Sequence, residues 1–187
     1  AQYGIYTHFF VKLTEIDGPN KKAKFIGIGD SNKDQEYWVE FDMLHVTPPQ
    51  SAPDFIRTSA LANASGWIDV EKHTLQHVKY PNIFACGDAA NLPVSRTGAA
   101  IRKQVPVLVQ NLLAFMQGRA LSSSYDGYSS CPIITGYDKL VLAEFDYHNQ
   151  PTETFPFDQS KERWSMYQMK KHILPYLYWN QILPGKM

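Results

Sequence analysis

Two short stretches carry residue types that could do chemistry. In the first, the continuous apolar run Ile83-Phe84-Ala85-Cys86 ends in Gly87-Asp88, and Thr97-Gly98 then opens the best helical pattern in the chain. A run of this kind reads as a buried strand of a parallel sheet. Its carboxylate would stand at the carboxyl end of the sheet, where α/β folds bind ligands. Gly87 permits close backbone approach, and Asp88 can accept hydrogen bonds from a ribityl or ribose hydroxyl. A helix beginning at Thr97 would point its partial positive charge at the same place, which suits a phosphate or an anionic reduced flavin. An ordinary strand, an Asp in a turn and a capped helix explain the same residues equally well.

The second stretch centres on Cys131. As a thiolate it would be a nucleophile or a redox partner, and nearby positive charge or a helix N-terminus favours that form. On its own residues it reads as a buried Cys in a turn. Cys86, inside the apolar run, reads as core. No Cys-x-x-Cys is present, and two cysteines make neither a disulfide framework nor a structural zinc site. His73 and His77 lack a carboxylate base or third ligand, so no metal site is expected and most of the histidines read as surface residues. No Gly-x-Ser-x-Gly supports serine hydrolase chemistry.

The elements that must hold these residues follow from pattern. Tyr6–Ile16, Lys24–Ile28 and Glu36–Phe41 read as an antiparallel meander with a turn at Gly18-Pro19-Asn20, followed by the short apolar Met43–Val46. Pro48-Pro49 ends it. A helical turn near Pro53–Thr58 and a short strand near Gly66–Val70 are expected next. The 97–117 helix has Thr97 as N-cap, Val105, Leu108, Leu112 and Phe115 on one face, Pro106 as a kink and Gly118 as C′ residue. The polar stretch 122–130 reads as a loop and Lys139–Phe145 as a strand. Asp158 or Ser160 would cap a helix running to about Ile173. Leu174–Leu183 is apolar and aromatic.

Composition bounds the partners. Eighteen Lys and Arg balance eighteen Asp and Glu, so no overall field attracts nucleic acid. With 44% hydrophobic and 19% charged residues over 187 positions, the chain has the make-up of a globular protein. No charged n-region and apolar run mark a signal peptide, and no stretch approaches the ~18–20 apolar residues of a membrane-spanning helix.

Ile83–Asp88 resembles the second flavin-binding motif of the two-dinucleotide-binding-domain flavoproteins. Met43–Pro49, Tyr125–Tyr137, Leu142–Tyr147 and Thr154–Arg163 are similar to the mitochondrial-type sulfide:quinone oxidoreductases. This resemblance covers essentially the whole chain and implies an α/β fold, α+β within this stretch alone. Residues 1–47 would be the β-rich end of the second dinucleotide-binding domain. Residues 48–121 would return to the FAD domain with its last strand and helix, and 122–187 would form a redox-cysteine, quinone and membrane segment. The family's Gly-x-Gly-x-x-Gly pyrophosphate turn has no match here, and its first redox cysteine lies upstream. The chain is therefore expected to be a C-terminal part, inactive alone.

The resemblance also implies roles. Cys131 would be one of two cysteines that exchange disulfide, trisulfide and persulfide states while electrons pass into FAD and on to a membrane quinone. Gly87, Asp88, Thr97, Gly98 and Lys170 would lie by the flavin, with Lys170 also near the quinone. Phe155 and Phe157 would sandwich the quinone ring. Residues 173–187, with Tyr176, Tyr178 and Trp179 after Lys170, Lys171 and His172, would seat the protein on a membrane. The implied partners are sulfide, a sulfur acceptor and a quinone, at a bacterial plasma membrane or mitochondrial inner membrane, with self-association left open. Two alternatives stand beside this: another quinone- or cytochrome-linked flavoprotein, and a non-catalytic membrane-interaction module.

Overall fold

The computed structural model describes residues 4–186, so the outermost residues of the expected 1–47 and 173–187 segments lie outside the described residues. The chain forms two compact units, Ala1–Pro49 and Gln50–Met187.

The first unit is an antiparallel sheet of β1 (Val11–Asp17), β2 (Lys22–Gly27) and β3 (Glu36–Glu40), in that order. The register pairs Leu13 with Phe25 and Ala23 with Val39, with a bulge between Leu13 and Glu15. Asp17 closes the first turn by accepting from the Asn20 backbone and side-chain amides at 3.1 and 2.7 Å. The expected strand from Tyr6 starts only at Val11, because Phe10 has a φ of 55°, outside the extended region. Met43–Val46 finds no strand partner and stays irregular. Within the three strands only Ala23 and Gly27 are buried.

The second unit holds the core. Val70, Leu75, Ala85, Ala90, Leu92 and Tyr125 form one buried cluster, with Cys86 and Leu108 packed against it. The unit also holds α1 (Asp54–Arg57) and α2 (Gly98–Met116), which continues through Pro106 and packs Val107 and Leu108 on this cluster. Thr97 caps α2 as expected, its Oγ1 accepting from the Ala100 N–H at 3.2 Å. Asn111 on α2 is fully buried and spends its amide on the backbone of Thr74 and Ser123. That bond set ties the helix to two loops.

Three local expectations are corrected. Ile83–Cys86, read as a strand of a parallel sheet, has no parallel neighbour among the described residues. Its backbone partners are local, the His77 N–H on the Ile83 carbonyl at 2.9 Å and the Ala85 N–H on the Leu75 carbonyl at 3.1 Å. These bonds flank an isolated antiparallel bridge between Gln76 and Phe84, so the segment beside it is Leu75–His77 rather than a parallel strand. The end of the expected 122–130 loop is instead the start of β4 (Ser129–Gly136), paired antiparallel with β5 (Lys139–Phe145) in a hairpin. The serines hid this strand because Ser129 and Ser130 are buried, where apolar residues were the expected signal. His77 is buried rather than at the surface: its Nδ1 accepts from the Lys79 and Tyr80 N–H groups, leaving Nε2 to donate to the Leu61 carbonyl.

The last helix also differs in its ends. Asp158 turns its carboxylate onto Ser160 and Lys161, so helix formation waits until α3 (Trp164–Gln168). The helical course then continues through a wide π turn (Met169–Ile173), α4 (Leu174–Leu177) and a second π turn (Tyr178–Ile182). Met166 from α3 joins Leu140 and Leu142 of β5 in a second buried cluster.

Candidate functional site

The start of β4, where burial gives way to exposure, presents Cys131. Ser129 and Ser130 are buried, whereas Cys131, opposite Ala143 of β5, is exposed with its thiol open to solvent. The expected buried turn cysteine is thus an exposed strand cysteine. Lys170, in the wide turn after α3, donates from Nζ to the carbonyl of neighbouring Pro132 at 2.8 Å. A cation therefore stands one residue from the thiol. Cys86 is half-buried, and burial pushes its thiol pKa up, which holds it in the unreactive form.

Phe155 and Phe157 pack on Leu140, Leu142 and Met166, on the far side of the same hairpin's second strand. Their rings are stacked at 5.4 Å with 10° between planes. A third ring between them would need about 7 Å, two contact distances, so the pair is closed on itself rather than open as a sandwich. Arg163 lies over the Phe157 ring at 4.2 Å. A cavity of about 220 Å³ lies along β5, with Leu142, Glu144, Pro151 and Gln159 among its lining residues.

Gly87, Asp88, Thr97 and Gly98 come together at the start of α2. Gly87 opens a short 3₁₀ turn with φ +63°, and a Cβ there would stand 2.8 Å from Ile101 Cδ1. The positive φ favours glycine there, since Ile101 Cδ1 is a side-chain end that could move aside. Its N–H donates to Gln104 Oε1 at 2.7 Å, and Gln104 is buried. Asp88 is exposed beside a helix start whose Gly98 and Ala99 N–H groups have no acceptor within the helix. That donor set, an outward carboxylate with free N–H groups and a glycine turn, fits the hydroxyl and phosphate chemistry of a dinucleotide cofactor. α2 packs on β4, so this cluster and the Cys131 strand share one framework.

One charged residue of this region escaped the sequence reading. Glu144 is only 4% exposed, and its two oxygens take four hydrogen bonds. Oε1 accepts from the Tyr128 and Thr154 hydroxyls, the latter at 2.7 Å. Oε2 accepts from the Thr154 N–H at 2.9 Å and Gln159 Nε2 at 2.8 Å. Burial pushes its pKa up, but these donors together outweigh burial and hold the carboxyl below its ordinary value. The signal was legible: in Leu140-Val141-Leu142-Ala143-Glu144, alternation puts Glu144 on the buried face.

Among the described residues no group of three or more His, Cys, Asp or Glu side chains is disposed to hold a metal. No described helix is long and apolar enough to cross a membrane. The 173–183 helical stretch nevertheless exposes Ile173, Tyr176, Tyr178, Trp179 and Leu183.

Curated relatives cover nearly the whole chain. It is 50% identical to the mitochondrial sulfide:quinone oxidoreductase of Mus musculus over 180 residues, 96% of this chain and 39% of that protein. The mitochondrial sulfide:quinone oxidoreductase of Dictyostelium discoideum is 46% identical over 98% of this chain and 40% of its own length. That of Schizosaccharomyces pombe is 43% identical over 90% and 37%. No family model matches the chain. Among solved structures, a chain of the cryo-EM structure of the Tetrahymena thermophila mitochondrial ATP synthase F1Fo composite tetramer superposes with a TM-score of 0.77. It is 28% identical and is matched over 94% of this chain and 42% of that one. Spanning about two fifths of the length of its curated relatives, and matching their C-terminal part, the chain belongs to the sulfide:quinone oxidoreductase family.

Proposed function

We propose that the chain supplies the second redox cysteine, part of the flavin site and the quinone-side loop of a mitochondrial, FAD-dependent enzyme that oxidises sulfide and reduces a membrane quinone. The observation that carries this reading is the outward thiol of Cys131 on β4, with Lys170 Nζ bonded at the next residue's carbonyl. Family membership at 43–50% identity supports the same reading.

In this mechanism Cys131 and a cysteine outside this chain hold a sulfur bridge between them. Hydrosulfide attacks the bridge, a new S–S bond forms to the incoming sulfur, and the old S–S bond breaks. One cysteine keeps the added sulfur as a persulfide, for a sulfur acceptor to remove, and the other leaves as a thiolate. Once the acceptor has taken the outer sulfur, the thiolate and the other cysteine's thiol rejoin as the bridge, which releases one proton and two electrons. Bound FAD would supply the relay that carries those two electrons to the quinone, which departs as hydroquinone. Asp88 would accept from cofactor hydroxyls, and the N–H groups of Gly98 and Ala99 would face its negative charge. Lys170 would stabilise negative charge developing near the thiol. The Phe155–Phe157 pair offers a flat apolar surface on which a quinone ring stacks. The exposed aromatic stretch 173–183 would rest in a membrane interface, where such a quinone is found. The 187 residues include no pyrophosphate-binding glycine turn, so this stretch alone is proposed to be inactive.

A second reading is a non-catalytic piece of a membrane assembly, favoured by the likeness to a chain of the Tetrahymena complex. Sulfide-dependent reduction of a short-chain quinone by the complete protein, beside its Cys131→Ser variant, separates the two. Activity that collapses in the variant supports the redox reading. Bound FAD without such activity in either protein sinks it.

A further inference from the structure

Glu144 shares a face of β5 with Leu140 and Leu142, where alternation would place a third apolar side chain. Burying a carboxylate is costly unless a cation or hydrogen bonds offset it. Among the described residues no Lys, Arg or His forms an ion pair with Glu144, so its four hydrogen bonds do all the offsetting. Three of them come from Thr154 and Gln159. Those two residues bracket Phe155 and Phe157 on either side. The fourth comes from Tyr128, just ahead of the Cys131 strand. Gln159 is 2% exposed and turns its amide nitrogen to the carboxylate, leaving its own Oε1 buried without a partner. The loop is thus held to Glu144 even at a cost to Gln159.

We propose that Glu144 is the positioning residue of the aromatic loop: its two oxygens pin both ends of 154–159 and so fix the surface on which the quinone stacks. The proposal rests on the reading of Phe155–Phe157 as the quinone surface. It concerns geometry rather than charge. In Glu144→Gln the remaining carbonyl can face the Thr154 N–H and the Gln159 amide, while the new NH₂ faces two hydroxyls that rotate to accept. Glu144→Leu keeps the volume and removes every acceptor.

The test uses the complete, FAD-loaded enzyme and two separate readouts, the KM for a short-chain quinone and the anaerobic rate of flavin reduction by sulfide. Glu144→Leu should raise the quinone KM about tenfold while the sulfide-driven rate stays within about twofold. Glu144→Gln should keep the KM near that of the unmutated enzyme. Thr154→Val, which removes a single hydroxyl donor from the loop, should raise the KM about threefold and decides the matter if Glu144→Leu does not fold. An unchanged KM in Thr154→Val and Glu144→Leu overturns the proposal, as does a fall in the sulfide-driven rate as large as the rise in KM, which marks a purely structural role. An unmutated enzyme that reduces no quinone overturns the functional reading, and the proposal with it.

Discussion

The molecule contains two antiparallel sheets that look alike locally and serve differently. The β1–β2–β3 meander buries only Ala23 and Gly27 in its strands, and its cross-strand contacts include surface ion pairs such as Lys24–Glu36 at 2.7 Å. The β4–β5 hairpin is shorter by a strand, yet it buries Ser129, Ser130, Leu140, Leu142 and Glu144 and packs against α2 and α3. Pairing alone makes a ladder. A sheet becomes a platform for chemistry only when one face is buried against other elements, because that burial fixes which side chains point out.

Substitutions should separate the two sheets sharply. Leu140 is fully buried, and Leu140→Ala should cost about 2–5 kcal/mol in denaturant unfolding, whereas Val39→Ala on exposed β3 should stay within about 0.5 kcal/mol. Equal losses at the two sites would erase the contrast.

A smaller but still clear effect is expected at the turn before β4. Gly127 has φ +86°, and a Cβ would stand 2.3 Å from the Tyr147 ring, so Gly127→Ala should cost about 1–3 kcal/mol. Gly136, at the other end of the same strand, faces open space, and Gly136→Ala should leave the unfolding midpoint almost unchanged.

Acid titration sharpens the comparison further. The folded Glu144 carboxyl titrates below its ordinary 4.5, so the unfolded chain binds the proton first as pH drops. Its contribution is complete above about that pH and is lost as pH falls through the lower folded value. Between those limits, the stability of Glu144→Gln should fall less steeply with decreasing pH than that of the unmutated protein. Parallel curves would mean that the carboxylate is not held ionised. The smallest effect belongs to the meander: Glu36→Gln should leave its unfolding midpoint within scatter, with any difference vanishing in concentrated salt.

Much of this was legible from residue patterns, and the failures have physical causes. The three meander strands, the Thr97-capped helix and β5 follow from period and capping, which are local properties. The Ile83–Cys86 run pairs only through the antiparallel Gln76–Phe84 bridge among the described residues, because membership of a parallel sheet is set by neighbouring strands and not by local pattern. β4 was missed because buried serines break the apolar alternation. The outward thiol of Cys131 depended on that missed strand and on its register opposite Ala143. Asp88 and Gly98 could be assigned to one corner by sequence order, but the Gln104 bond that holds Gly87 there joins residues far apart in the chain.

The most direct measurement of the central claim leaves quinone out. Sulfide is added anaerobically to the complete, FAD-loaded protein and the flavin absorbance is followed in the unmutated enzyme and in Cys131→Ser. The account predicts rapid bleaching in the first and none on the same timescale in the second. Bleaching of Cys131→Ser at the unmutated rate would contradict it and return Cys131 to an ordinary surface residue of β4.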